Sequence, residues 1–236
     1  MKARAICWVV SVVMLLAGGA AAQSPMPAAD TSSLDFKQWG LLAVQEGGRR
    51  KPVDTFAREA LIKITGRSTY TAQNGKRWQA NDFIISGLLE TQEWKNEPMV
   101  LVSLGSLIEQ LGLDKNKRRF SFAELSASPE LNRLAREVQE LRRAEKPLSK
   151  VQQEVRNVSE RLTLLNRIMD GSGFLIIPAA EKVTDPWVIP PAFGNYYKEE
   201  QFAAVQTHLQ AMAGAYMKAD SFQFSTAARD LREAAR

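Results

Sequence analysis

One cysteine, Cys7, and one histidine, His208, are all that the 236 residues contain of the two side chains most used for soft metal ligation and nucleophilic chemistry. A zinc site built from Cys and His needs about four clustered ligands, so that class is excluded. A Cys–His pair is excluded with it, because Cys7 lies in a segment that reads as removed on export. No second histidine completes a Ser-His-acid triad, and no G-x-S-x-G elbow occurs. After residue 22 no stretch is long and apolar enough to span a bilayer. A charge excess is missing too: 31 Lys and Arg stand against 26 Asp and Glu. That balance is too even to argue for a nucleic-acid partner. What is present is ordinary globular material, 45% hydrophobic and 24% charged, enough to bury a core.

The N-terminus reads as an address. Lys2 and Arg4 precede the apolar run Ile6–Ala17, and Ala20-Ala21-Ala22 forms an A-x-A cleavage signature, with Gln23 as the expected mature N-terminus. Cys7 sits inside the apolar run and not after the cleavage site, which argues against a lipoprotein anchor. Residues 1–22 are thus expected to be a signal peptide and the chain to be periplasmic. Without Lys2 and Arg4, 29 basic residues face 26 acidic ones, a net charge of +3. The mature chain has no cysteine and must hold together without disulfides.

Residues 23–35 are small, polar and proline-bearing, the composition of a linker. The rest, 36–236, is expected to be one extracytoplasmic domain with a lobe at 36–128, a helical hairpin at 129–170 and a helical region at 171–236. Leu41–Gln45 is a short apolar stretch, followed by a turn-rich basic loop, Gly47-Gly48-Arg49-Arg50-Lys51-Pro52. Asp54 or Thr55 is the expected cap of a helix with Phe56, Ala60, Leu61 and Ile64 on its apolar face, ended by Gly66. Asn81 is expected to cap a second helix bearing Phe83, Ile84, Leu88 and Leu89, interrupted at Gly87. Pro98 begins a β-like run, Met99–Val102. Ser103 is read as the cap of a short helix stopped by Gly112, and Phe120-Ser121-Phe122 alternates like a strand.

The clearest periodicity follows Pro129. Leu131, Leu134, Val138 and Leu141 recur at spacings of three and four, and after Pro147 so do Val151, Val155, Val158, Leu162, Leu165 and Met169. Pro147 breaks the run and Ser149 with Gln152 forms a capping box, so an antiparallel helical hairpin is predicted. Phe174–Pro178 reads as a buried strand or extended leg, and Asp185–Pro191 as a proline-stiffened segment. A last helix carries Phe202, Val205, Leu209, Met212 and Tyr216, and Asp220 or Ser221 starts another. The fold class is α-rich α+β, about half to two-thirds helix by this pattern count.

No reaction centre emerges. Gly47-Gly48-Arg49 with Lys51 lacks the spacing of a phosphate loop, so a tight turn feeding a helix is the plainer reading, with an anion or partner contact as the sharper one. Asp54 and Glu59 are a weak carboxylate pair, because a capping Asp spends its oxygens on backbone N–H groups. His208 falls at the edge of an apolar stripe, where a boundary histidine is the bland reading and a lone haem ligand the sharp one. A hydrolase would have to work from carboxylates alone. A non-enzyme is expected.

Residues 42–61, LAVQEGGRRKPVDTFAREAL, resemble the L-P-V-Q-x-G-G-R-x-K-P-L-D-T-F-A-R pattern that opens the extracytoplasmic region of cytochrome c biogenesis proteins of the CcsA (ResC) type, the system II haem-delivery and haem-attachment machinery. Position 43 is Ala where that pattern often has Pro. Looser likenesses continue through Phe120–Leu125, the hairpin, Leu175–Pro178 and Trp187. The family's tryptophan-rich W-G-x-x-W-x-W-D segment and histidine haem ligands have no counterpart here, so no haem ligand carries over. The resemblance implies an accessory domain of cytochrome c maturation, peripheral to the inner membrane. Its implied partners are multi-span haem-handling membrane proteins and apocytochrome c. It implies no cofactor in this chain, haem being reached through the partner. The expected contact set is Gly47, Gly48, Arg49, Lys51, Pro52 and Asp54. From the residues alone, a general periplasmic scaffold that binds a partner through the helical hairpin stays open as the alternative.

Overall fold

The computed structural model describes residues 30–176, 187 and 199–235. The expected signal peptide, most of the expected linker and most of Asp185–Pro191 lie outside them. In chain order the elements begin with α1 (Lys37–Gly40), β1 (Ala43–Glu46), β2 (Arg49–Pro52), α2 (Val53–Thr65), β3 (Tyr70–Thr71), β4 (Arg77–Trp78) and α3 (Ala80–Leu88). They continue with β5 (Val100–Leu101), α4 (Gly105–Gln110), β6 (Arg119–Phe120), α5 (Phe122–Ser126), α6 (Pro129–Arg143) and α7 (Lys150–Met169). Helices α8 (Glu199–Met217) and α9 (Ser221–Ala234) complete the set. The strands form three separate antiparallel ribbons, β1–β2, β3–β4 and β5–β6. Helix accounts for 58% of the described residues, so the chain is α-rich α+β.

Asp54–Gly171 form one compact unit, and the described residues on either side of that segment form another. The sequence drew a boundary near residue 128, between a lobe and the hairpin. In the structure α6 and α7 belong with 54–128, because α7 packs on α3, α4, α5 and β5 as well as on α6. The hairpin is therefore part of this unit's core. Leu131, Leu134 and Val138 of α6 and Val155, Val158, Leu165 and Ile168 of α7 are buried, while the predicted Leu141, Val151, Leu162 and Met169 are half-buried. The second helix starts with the capping box that the sequence predicts, and the first with a cap, Ser128, that the sequence reading does not name. The Ser128 hydroxyl accepts from the Leu131 N–H with Pro129 at the first helical position. Ser149 and Gln152 form the reciprocal capping box. The outward face is laced with Arg133–Glu130, Arg133–Glu137 and Arg156–Glu160 pairs, and hydrogen bonds from Arg133 hold the Glu130 carboxyl down to about 2.

The core of the 54–171 unit is aromatic. The Trp94 ring meets Trp78 and Phe83 edge-on, each at 4.9 Å, and its indole N–H donates to the Ser86 hydroxyl at 2.9 Å. Phe56, Ala60, Leu61 and Ile64 are buried along α2 as their spacing requires, and Gly66 ends that helix at φ +72°.

Three expected caps do other work. Asp54 lies inside the first turn of α2, Asn81 inside α3, and Ser103 lies before Leu104, the residue preceding α4. The Asn81 amide donates to Asp54 Oδ1 at 2.8 Å, and both Ser103 donors go to Glu154. Gly87 does not interrupt α3 but sits within it, and a Cβ there would lie 2.8 Å from Ile168 Cγ2 on α7. The strand expected at Phe120–Phe122 ends at Phe120, because Ser121 turns to cap α5 through the Glu124 N–H.

In the other unit, of the two expected starts Asp220 is the cap of α9 and Ser221 its first residue, and α9 packs on α8 and α1. Phe224 is fully buried and meets Phe36 edge-on at 5.4 Å. Thr31 and Leu34 are also buried, so folded chain begins inside the expected linker. Val205, Met212 and Tyr216 are buried along α8, as their spacing predicted. The Phe202 side chain lies outside the described set. No helix among the described residues is long and apolar enough to cross a membrane.

Candidate functional site

The segment 43–52, read from sequence as a basic loop, is a β-hairpin. Ala43 pairs with Pro52, Val44 with Lys51, Gln45 with Arg50 and Glu46 with Arg49. Only Gly47 and Gly48 are left for the turn, at φ +56° and +78°. A two-residue turn that continues the right-handed twist of its strands needs positive φ at both central positions, which Gly-Gly supplies without a Cβ penalty. Pro52 takes the last position of β2, where its missing N–H does least harm. The Val53 N–H next to it closes the ribbon on the Leu42 carbonyl at 2.7 Å.

Alternation sorts the two faces. Val44, Glu46, Arg49 and Lys51 share one. Val44 is fully buried there, and the half-buried Lys51 ammonium reaches diagonally to Glu46 Oε2 at 2.6 Å. Arg49, beside the turn, is exposed. Gln45 and Arg50 share the other face, and this face ties the ribbon down. The Gln45 N–H donates to the Leu175 carbonyl at 2.9 Å, and the Trp187 N–H donates to Gln45 Oε1 at 2.7 Å. The Arg50 guanidinium lies 5.3 Å from the centre of the Trp187 ring, within cation–π range. Trp39 stacks on Phe174 at 5.2 Å with the rings 16° from parallel.

The structure thus brings Gly47, Gly48, Arg49, Lys51 and Pro52 together in one ribbon. Asp54 is different. It heads the 54–171 unit, where Oδ1 accepts from Asn81 and Oδ2 pairs with Arg58 at 3.0 Å. It is an acid in a first helical turn, favourable against the helix dipole, and not a cap. Sequence reasoning weighs Arg50 only as an anion or partner contact and gives Gln45 no role, because their anchor, Trp187, is more than a hundred residues away.

His208 is half-buried on α8. No group of three or more His, Cys, Asp or Glu side chains among the described residues is placed to hold a metal ion. The ribbon presents the exposed Arg49 guanidinium beside its turn.

The turn supports a local test. Nothing lies within 4 Å of a Cβ built at Gly47 or Gly48, so the cost of a side chain there is backbone strain alone. Gly48→Val is expected to destabilise the ribbon by about 1–2 kcal/mol, whereas Gly47→Asn should be tolerated within about 0.5 kcal/mol. Amide exchange of Val44 to Lys51 checks this. Equal protection in both variants would refute the turn geometry.

No known protein-family profile matches the chain. Over 159 residues it is 28% identical to Protein NrfI of Wolinella succinogenes. That match takes in 64% of this chain and 16% of the relative, so the chain spans a small part of the length of the protein it matches.

Proposed function

We propose that this chain is an exported, non-enzymatic accessory module of cytochrome c maturation that docks on a multi-span, haem-handling membrane partner, with haem held by the partner. The observation that carries the reading is the β1–β2 ribbon. The stretch that resembles the CcsA type is an anchored hairpin whose Gly-Gly turn presents Arg49 to the surroundings. The similarity to Protein NrfI supports cytochrome c biogenesis as the general setting and nothing narrower. Contact by a pre-formed turn costs little ordering entropy on binding, and a guanidinium is well suited to carboxylates and carbonyls on a partner.

Arg49→Ala is expected to reduce covalent haem attachment to c-type cytochromes several-fold in cells, read by haem staining. Thermal stability should stay within about 0.5 kcal/mol, because the side chain is exposed. Lys51→Ala should act in the same direction at an added cost of up to about 1 kcal/mol, from loss of the Glu46 pair. Normal maturation in the double variant would remove the turn from the mechanism. A mild-detergent pull-down of the tagged chain tests the partner itself. Co-purification of a haem-bearing membrane protein is expected. A chain that emerges alone while such proteins are present would sink the reading.

The scaffold alternative, with the α6–α7 hairpin as the partner-binding face, has less to stand on. The apolar seam of that hairpin is already buried within its own unit, and Arg133 and Arg156 on its outward face pair with Glu130, Glu137 and Glu160.

A further inference from the structure

The 54–171 unit carries a second basic feature, separate from the β1–β2 ribbon. An open groove of about 680 Å³ lies between the β3–β4 ribbon and the segment around β6. Its lining includes Arg67, Arg77, Lys117, Arg118 and Arg119, with Glu124 as the one carboxylate of that lining. Lys117 has a loose partner, Asp114, at 3.8 Å. Among the described residues no carboxylate lies within ion-pair distance of Arg67, Arg77, Arg118 or Arg119.

Its floor is fixed. The Tyr70 hydroxyl and the Gln73 N–H both donate to Glu97 Oε2, at 3.0 and 3.2 Å, and burial together with that carboxylate pushes the phenol well above its ordinary range. Tyr70 is thus committed to Glu97 as a neutral donor. Arg119 is fixed as well: its Nε–H donates to the Thr65 carbonyl at 2.7 Å, and burial and the neighbouring Arg67 lower its pKa. Burial is the larger cause and the like charge of Arg67 the second, so the two guanidiniums oppose each other in the free groove.

Such convergence is unfavourable in the free chain and becomes favourable when an anion enters. A single carboxylate is satisfied by one bidentate guanidinium. Four guanidiniums and an ammonium around one space match an anion with more acceptor oxygens and up to two charges, which is the character of a phosphate group. We infer that the groove bounded by Arg67, Arg77, Lys117, Arg118 and Arg119 binds a phosphate-bearing ligand. The site stands independently of the docking role assigned to Arg49. Phosphate chemistry has two sources here, a soluble phosphate compound or the headgroup of an anionic phospholipid.

The experiment is calorimetric titration of the purified full chain with inorganic pyrophosphate, paired with flotation on phosphatidylglycerol-containing vesicles and on pure phosphatidylcholine vesicles. Saturable pyrophosphate binding that weakens with added salt is expected. Arg67→Gln and Arg118→Gln, both exposed and bonded to the rest of the described chain only through their backbone, should each weaken it about tenfold. Arg49→Gln, in the other unit, should leave it unchanged while impairing the docking role. Flotation with the anionic vesicles alone, lost in the same two variants, assigns the source to lipid, and binding of pyrophosphate without flotation assigns it to a soluble phosphate. Absence of both, or binding indifferent to Arg67 and Arg118, overturns the inference. So does arginine-dependent binding of an acidic peptide when pyrophosphate fails to bind.

Discussion

Glu154→Leu is expected to lower the stability of the 54–171 unit by about 3 kcal/mol, the usual cost of removing one partner from a buried ion pair. Glu154 is 7% exposed, and every polar neighbour is aimed at it. Oε1 accepts from the Ser103 N–H at 2.7 Å, the Ser103 hydroxyl at 2.8 Å and Arg161 Nη1 at 3.0 Å, while Oε2 accepts from the Asn157 amide at 3.2 Å. Arg161 in turn donates to the carbonyls of Lys63 and Leu101. One carboxylate therefore locks α7 onto the chain that follows β5 and balances a cation that also braces the end of α2. Leucine would fill the volume and leave the guanidinium largely buried without its counter-charge. Glu154→Gln keeps an acceptor and should cost less. Urea unfolding followed by the fluorescence of Trp78 and Trp94 reads this unit, and a loss below about 1 kcal/mol for the leucine variant would show that the network is not structural.

The same site sets a pH dependence. Burial alone would raise the Glu154 pKa, but the Ser103 N–H and hydroxyl, Asn157 and Arg161 outweigh it and bring the carboxyl below its ordinary value of 4.5. A depressed folded-state pKa means that the stabilisation is complete above the unfolded value, and it is lost as pH falls from there through the folded value. The wild-type chain should therefore lose stability below about pH 4.3 more steeply than Glu154→Gln. Parallel acid limbs in the two proteins would contradict the assignment.

Gly87→Val should be the next most damaging change, at about 2 kcal/mol. Glycine is a poor helix former, so helix propensity alone predicts that a side chain at position 87 stabilises α3 by several tenths of a kcal/mol. Packing reverses that sign. A Cβ at 87 would lie 2.8 Å from Ile168 Cγ2 and 3.9 Å from the Ile168 carbonyl oxygen. Ile168 is 2% exposed and β-branched, so its methyl has little freedom to move aside. Overpacking of this kind costs about 1–3 kcal/mol. Gly87→Ala should be destabilising by a smaller amount. Its effect should vanish or reverse when combined with Ile168→Ala, which frees the space at its own cavity cost. A strictly additive double variant would show that the contact does not govern the packing of α3 on α7.

The helices were legible where local chemistry has one partner within reach. Ser149 with Gln152 caps as read, Asp220 is the one of the two expected starts that caps, and the spacing of Val155, Val158 and Leu165 places them in the core. Asp54, Asn81 and Ser103 carry the same local signature, but tertiary partners claim their side chains first. A residue able to cap is equally able to bond a neighbour brought in by the fold, and only the fold decides which. Gly87 shows the same limit: a helix breaker by propensity becomes a packing residue once α7 lies over it.

Within the candidate site, Gly-Gly between Glu46 and Arg49 was a readable hairpin signal. It was read as a loop because RRKP has no hydrophobic alternation to mark a strand. The anchoring of Gln45 to Trp187 had no sequence signal. Nor did the groove, whose cations are spread between Arg67 and Arg119 and meet only because two short ribbons stand side by side.

The Gln45–Trp187 bond joins residues 142 apart, and the whole of Asp54–Gly171 lies between them in the chain. During synthesis the ribbon that carries Arg49 leaves the ribosome early but cannot be fastened until Trp187 has followed it, whereas the intervening compact unit is complete by residue 171. Domains fold as they become complete, so the inserted unit is expected to consolidate first and the outer unit last. A destabilised insert, as with Glu154→Leu, would then delay the assembly of a ribbon that it does not itself contain.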